Sequence, residues 1–251
     1  PVLEPLRSDI AAFAGRARRG PVGVPVRIEG WREFERLFGG LGTATLLSYA
    51  MRGYFENGGE IAYVLRIGRE ADADDGTVPR PFVRARATSS LGNKKLVVCA
   101  ASPGAWANGA RVFFTLRTAP GAVPWLSIRV ESADEPDEFI GPIKLDKFAL
   151  EREPGDVDID PLVRAIANRS DRIRVATAFA DVQARAETAP RVDWNVELDG
   201  GVEGIATHSL YRNGLTALCD QVEPALLAFP DLGLDFRLEI PEEEACAAAC
   251  A

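Results

Sequence analysis

Between Trp31 and Phe38 the apolar residues fall at positions 31, 34, 37 and 38, with Arg32, Glu33, Glu35 and Arg36 between them. That i, i+3, i+6, i+7 spacing is one stripe of a short amphipathic helix, and Gly39-Gly40 supplies its stop. A second helix is expected over "TATLLSYAMRGYFENG", with Leu46, Leu47, Ala50, Tyr54 and Phe55 turned inward and Asn57 to Gly59 ending it through a left-handed turn. "EIAYVLRIG" then changes the period from helix to strand, with Ile61, Tyr63, Leu65 and Ile67 alternating. Upstream, "SDIAAFAGRARRGPVGVPVRI" reads as two short strands around a loop rich in Gly, Pro and Arg.

From Asp72 to Gly76 an acidic loop intervenes, and the texture shifts. "PFVRARATSS", "KKLVVCAASPG", "ARVFFTLRT", "WLSIRVES", "DEFIGPIKL" and "RIRVATAF" are short strand patterns punctuated by Pro, Gly, Asp and Ser, the mark of a β-sandwich or barrel. One helix interrupts them at "DIDPLVRAIANRS", where Pro161 suits a first turn and Leu162, Ala165 and Ile166 make an apolar face. Past Val192 the pattern mixes again: a Gly-rich loop at "LDGGVEGI", then "HSLYRNGLTALCDQVEPALLAFPDL" as a helix followed by a buried strand near "PALLAFP", and a helical tail at "PEEEACAAACA". The fold class expected is α/β plus β. It divides into an N-terminal αβ unit at 1–70, a β-rich middle domain at 78–190 and the start of an α/β region at 191–251.

Composition narrows the function classes. The 251 residues are 47% hydrophobic, enough for a sizeable core, but no apolar run approaches the ~20 residues of a membrane-spanning helix. The chain opens on Pro1, so it is expected to lack its natural start, and no basic region followed by an apolar block marks a signal peptide. A net charge of −8 argues against a nucleic-acid partner. The one dense basic cluster, Arg16, Arg18 and Arg19 in "GRARRG", reads as a solvated or subunit-contacting loop.

Candidate chemistry is sparse. Cys99, Cys219, Cys246 and Cys250 form no C-x-x-C pair, and reduced thiols are expected. "DGGVEG" (Asp199 to Gly204) lacks the spacing of a phosphate loop and reads as a turn. His208 and Ser209 are adjacent, with Asp199 upstream, but adjacency along the chain does not build a triad, and no G-x-S-x-G occurs. Two acidic runs, Asp72, Asp74 and Asp75, and Asp156, Asp158 and Asp160, lack the Gly and closing Glu of a calcium loop. The second is better read as a loop entering a helix N-terminus. No catalytic, cofactor-binding or metal-binding residue is assigned.

Four stretches together resemble one family, the contractile tail sheath proteins of bacteriophages and related injection systems. "SDIAAFAGRARRGPVGVPVRIEGWREFERLFGG" resembles the family's opening strand, G-x-A-x-x-G-P, x-P-V-x-I strand and W-x-x-F-x-x-x-F-G-G helix. "YAMRGYFENGGEIAYVLRI" is similar to V-x-x-F-F-x-N-G-G-x-x-x-Y-V-x-R-V, and "AASPGAWANGARVFF" to A-x-S-P-G-x-W-G-N-x-L-x-V. "LDGGVEGI" with "GLTALCDQVEPALLAFPDL" is similar to L-x-G-G-x-D-G and G-L-x-A-L-x-x-V-D-x-x-x-L-L-x-x-P-D. Ala107 stands where the family often has Gly, and Glu203 where Asp is usual.

The resemblance implies a non-enzymatic structural subunit. Copies of it would surround an inner tube in stacked helical rings and drive that tube into a target by rearranging their lattice. It implies an α/β core of subtilisin-like topology without subtilisin's catalytic residues, and the family's C-terminal part, expected beyond residue 251, is missing here. Implied partners are further copies of the chain, the inner tube protein, and baseplate and cap proteins, with no nucleic acid, membrane insertion or cofactor. The implied location is a virion tail or tail-like particle assembled in the bacterial cytoplasm. The alternatives are a baseplate or cap component sharing the sheath fold and, from another class, an α/β hydrolase using Ser209 and His208. On the sheath reading, the segment before Ser8 is an extended arm, and "GRARRG" meets acids at 72–75 or 131–138 of a neighbour. The opening helix is packing hardware: its four large side chains contribute on the order of 6 to 12 kcal/mol before entropy, and Trp31→Ala is expected to abolish soluble folding.

Overall fold

In the computed structural model the described residues are 10–42, 45–71, 80–91, 94–145, 161–176 and 191–233. The chain mixes helices with sheets, as an α/β plus β protein does. It separates into two compact units, the first made of residues 1–82 and 203–251 and the second of residues 83–202.

The first unit is built on a four-stranded sheet in the order β11 (Leu226–Ala228), β1 (Ile10–Gly15), β3 (Ile61–Arg66), β2 (Pro25–Ile28). β1 runs parallel to both β3 and β11, and β2 closes the other side antiparallel to β3. Every residue of β1 is buried, because helices cover both faces of this strand. Helices α1 (Trp31–Phe38) and α2 (Leu47–Glu56) pack Phe34, Phe38, Leu47 and Met51 against Phe13, Ala62 and Val64. On the opposite face Leu210, Tyr211 and Leu218 of a helix at His208–Cys219 pack against Ala12, Ala14, Leu65 and Ile67. β3 thus buries residues on both faces, which is why its alternation is incomplete.

Within α1, Phe34 and Phe38 are fully buried and stack at 5.3 Å, while Trp31 is half-exposed at the start of the stripe. The predicted α2 face needs one change of register: Leu46 lies outside the helix and is exposed, and Met51 fills the core. Gly39 ends α1 at φ 90°, where a Cβ would lie 3.1 Å from the Arg18 side chain.

The second unit contains two antiparallel sheets. One runs β10 (Arg191–Glu197), β6 (Arg111–Arg117), β7 (Trp125–Ser132), β8 (Glu135–Lys144), and the other β4 (Arg86–Leu91), β5 (Lys94–Ala100), β9 (Ile173–Ala176). Strict alternation drives the first: Val112, Phe114 and Leu116 point inward with Leu126, Ile128 and Val130 opposite them. These side chains share one apolar cluster with Leu96, Val98, Ile173 and Val175 of the second sheet. Helix α3 (Pro161–Ala167) adds Leu162 and Ile166 to that cluster, and Ala165 is buried beside them, as its pattern predicts.

This division differs from the linear one of 1–70, 78–190 and 191–251. β10, expected in the third region, pairs along its length with β6 in the second unit. The helix that follows, labelled α4 from here on (His208–Cys219), and β11 build on the sheet of the first unit. The second unit is therefore an insertion into the first. The strand expected to be buried near "PALLAFP" is β11, which is short and lies at a sheet edge, leaving Leu226 58% and Leu227 43% exposed.

Candidate functional site

The nominal nucleophile, Ser209, lies in a helix's first turn beside the cap residue. Thr207 caps α4 by accepting from the Leu210 N–H, and the Thr207 and Ser209 hydroxyls lie 2.9 Å apart. His208 is the first residue of that helix, and Asp199 is a residue of the second unit whose backbone pairs with Arg86. Among the described residues no group of three His, Cys, Asp or Glu side chains is placed to hold a metal ion, and no helix is long and apolar enough to cross a membrane. Asp72, Asp74, Asp75, Asp156, Asp158, Asp160, Cys246, Cys250, the arm before Ser8 and the C-terminal tail lie outside the described residues. An open cleft of about 570 Å³ in the first unit is lined by Glu29, Gly30, Phe55, Gly59, Glu60 and Ile61, a set whose ionisable side chains are two carboxylates.

The polar residues that do converge belong to the motif stretches, and they make joints. The first joint centres on Arg66, at the end of β3 and fully buried. Its guanidinium donates to the Gly20 carbonyl at 3.0 Å, reaches Glu203 Oε1 at 3.2 Å and stacks over the Phe82 ring at 4.4 Å. Burial lowers the Arg66 pKa to about 10, against the opposing pull of Glu203, so the group stays cationic at neutral pH. A buried cation needs such partners to be tolerated.

The second joint is Asp231, fully buried, whose carboxylate accepts from the Arg16 N–H at 2.8 Å and the Leu46 N–H at 2.6 Å. Gly15 makes room for it: a Cβ there would fall 2.4 Å from Asp231 Oδ2. A third joint lies in the second unit. Asn108 donates to the Gly201 carbonyl at 2.9 Å and accepts from the Gly201 N–H at 2.8 Å, a two-way clasp between the W-A-N turn and the Gly-rich loop.

Of the two readings of the basic cluster, a solvated or a subunit-contacting loop, the structure bears on the first. "GRARRG" is not a solvated loop: Arg19 is 6% exposed and donates to the Glu35 and Arg36 carbonyls at 3.1 and 2.9 Å, satisfying the C-terminal end of α1. The acids of 131–138 are also engaged within their own unit. Glu131 and Asp137 face Arg129, Glu135 faces Arg172 at 3.1 Å, and Glu138 accepts from the Ser170 hydroxyl at 2.7 Å. Sequence reasoning missed Arg66 and Asp231 as centres. The available signal was a charged residue closing a strand of apolar residues, and an acid after Pro at the end of the fourth stretch.

No family model and no curated protein matches this chain. Among solved structures it is similar to the sheath tail protein of Listeria innocua at 14% identity, with a TM-score of 0.49 over 89% of this chain and 40% of that one. It is likewise similar to the sheath tail protein of Desulfitobacterium hafniense at 14% identity, with a TM-score of 0.46 over 90% of this chain and 43% of that one. The chain thus spans about two fifths of the length of these two proteins. At this identity and fit the likeness is too loose to assign a function.

Proposed function

We propose that this chain is a structural subunit of a contractile tail sheath, working through contacts among identical copies around an inner tube and not through bond-making in a pocket. One observation carries the reading. Five of the residues by which the four stretches resemble the sheath family, Gly20, Arg66, Asn108, Gly201 and Asp231, take part in contacts that join distant parts of the chain. Arg66 of the second stretch meets Gly20 of the first and Glu203 of the fourth. Asp231 of the fourth meets Arg16 of the first, 215 positions away, and Asn108 of the third meets Gly201 of the fourth. A signature spent on holding a scaffold suits a protein whose product is a shape.

The surface offered to a neighbouring copy is then the β11 edge and not the basic loop. Ile67 donates its N–H to the Gly15 carbonyl, so the odd residues of β1 bond β3 and Ile10 and Ala12 face β11; with Ala11 opposite Leu226, Leu226 bonds β1 and strand alternation turns the Leu227 N–H to the open side of the sheet. An exposed edge with two exposed leucines suits strand addition from another subunit. The test is negative-stain electron microscopy of the complete polypeptide co-expressed with its inner tube protein, beside a Leu227→Pro variant. Tubes from the first and folded, unassembled protein from the second are expected. A complete polypeptide that stays monomeric with its tube protein overturns the sheath reading, isolated rings point to a baseplate or cap role, and tubes that survive Leu227→Pro overturn the edge assignment.

A further inference from the structure

The chain leaves the first unit after Phe82 and re-enters it at Glu203. These two crossings, with the 120 residues of Val83–Val202 between them, flank one buried guanidinium. We propose that Arg66 is a clamp that fixes both ends of the strap carrying the inserted unit, gripping Phe82 through its ring and Glu203 through its carboxylate. The inference does not depend on the sheath reading.

The outgoing crossing is stitched down on the first unit by two backbone bonds, Phe82 N–H to the Arg69 carbonyl at 2.7 Å and Ala71 N–H to the Phe82 carbonyl at 2.8 Å. Its ring, 2% exposed, lies between two glycines: a Cβ on Gly68 would fall 2.2 Å from it and one on Gly204 2.3 Å. Only residues without a side chain permit that approach. The returning crossing is tied to the outgoing one by the Ile205 N–H to the Arg80 carbonyl at 3.0 Å. Arg66 itself ends a central strand of the host sheet and donates to the Gly20 carbonyl, so it is anchored independently of the two crossings. The Glu203 side chain is 49% exposed, so the carboxylate is the wet side of an otherwise buried grip. Water therefore reaches the carboxylate contact that helps to hold the returning crossing. The arrangement is a strap with a fixed pin and one accessible latch.

The experiment is amide hydrogen exchange on the whole chain, comparing wild type with Glu203→Gln and with Gly204→Ala, which crowds the Phe82 ring. Glu203→Gln is expected to speed exchange at Phe82, Ala71 and Ile205 about tenfold while leaving Val64 in β3 and Val112 in β6 unchanged. Gly204→Ala is expected to raise the same amides. Unchanged exchange at those three amides in both variants overturns the clamp. So does a uniform rise across the first unit, which would mark Glu203 as an ordinary stabilising contact.

Discussion

Asp231 shows what a single residue does in this molecule. Its carboxylate is buried and satisfied by two backbone N–H groups from segments that nothing else on the sequence links to it, the ends of β1 and of the loop before α2. Truncation leaves both donors buried and unpaired, and each such loss costs about 1–3 kcal/mol. Asp231→Ala is therefore expected to lower the unfolding free energy by about 3 kcal/mol in urea titrations followed by circular dichroism. Asp231→Asn keeps the shape and one acceptor and should lose about half of that. An unchanged midpoint for the alanine variant would remove Asp231 from the list of joints. Arg19 teaches the complementary lesson. Read by charge alone, an arginine cluster belongs in water, since arginine is seldom fully buried. The carbonyls that draw Arg19 inward come from the end of a helix 16 and 17 residues further on, and a charge count does not see them.

At the scale of elements, α1 tests how far a periodic stripe can be trusted. The stripe names Trp31, Phe34, Leu37 and Phe38 as equals, and the structure ranks them: Phe34 and Phe38 are fully buried, Trp31 and Leu37 only partly. Phe34→Ala should cost 3–5 kcal/mol, the usual range for emptying a large core site. Trp31→Ala should cost about half as much and leave a soluble, folded protein, against the sequence expectation of lost folding. Side-by-side urea midpoints settle the order, and a Trp31 variant less stable than the Phe34 variant would refute it. Elements of this kind were legible because their signals are local: the stripe of α1, the alternation of β6 and β7, and Pro161 opening α3 all sit within a dozen residues. What was not legible depends on partners. "PALLAFP" reads as a buried strand because it is apolar, yet among the described residues β11 has a strand neighbour only on the β1 side, and Leu226 and Leu227 stay exposed. β10 reads as the start of a new region because glycines follow it, yet its pairing partner is β6, more than seventy positions upstream.

For the whole molecule, the consequential feature is that one unit is threaded into another. The parallel pairing of β1 with β11 closes the first unit only after the chain has built the second and returned. An insertion of this kind is tolerated when its ends lie side by side, because then the host fold pays no extra loop-closure entropy. Here they do: Val83 and Val202 exchange both backbone hydrogen bonds, at 3.0 and 3.1 Å. A pair bonded in both directions is also the geometry that flanks a two-residue hairpin turn, for which Asn-Gly is the favoured sequence. A shortened chain running Val83-Asn-Gly-Val202 should therefore keep the first unit folded, with Arg66 still gripping Phe82 and Glu203. Circular dichroism should show helix from α1, α2 and α4 melting in one cooperative transition, and hydrogen exchange should protect Val64 as in the parent. If the shortened chain is unfolded while the parent is not, the first unit draws its stability from the insertion. The insertion would then be a part of the host's fold and not a body carried by it.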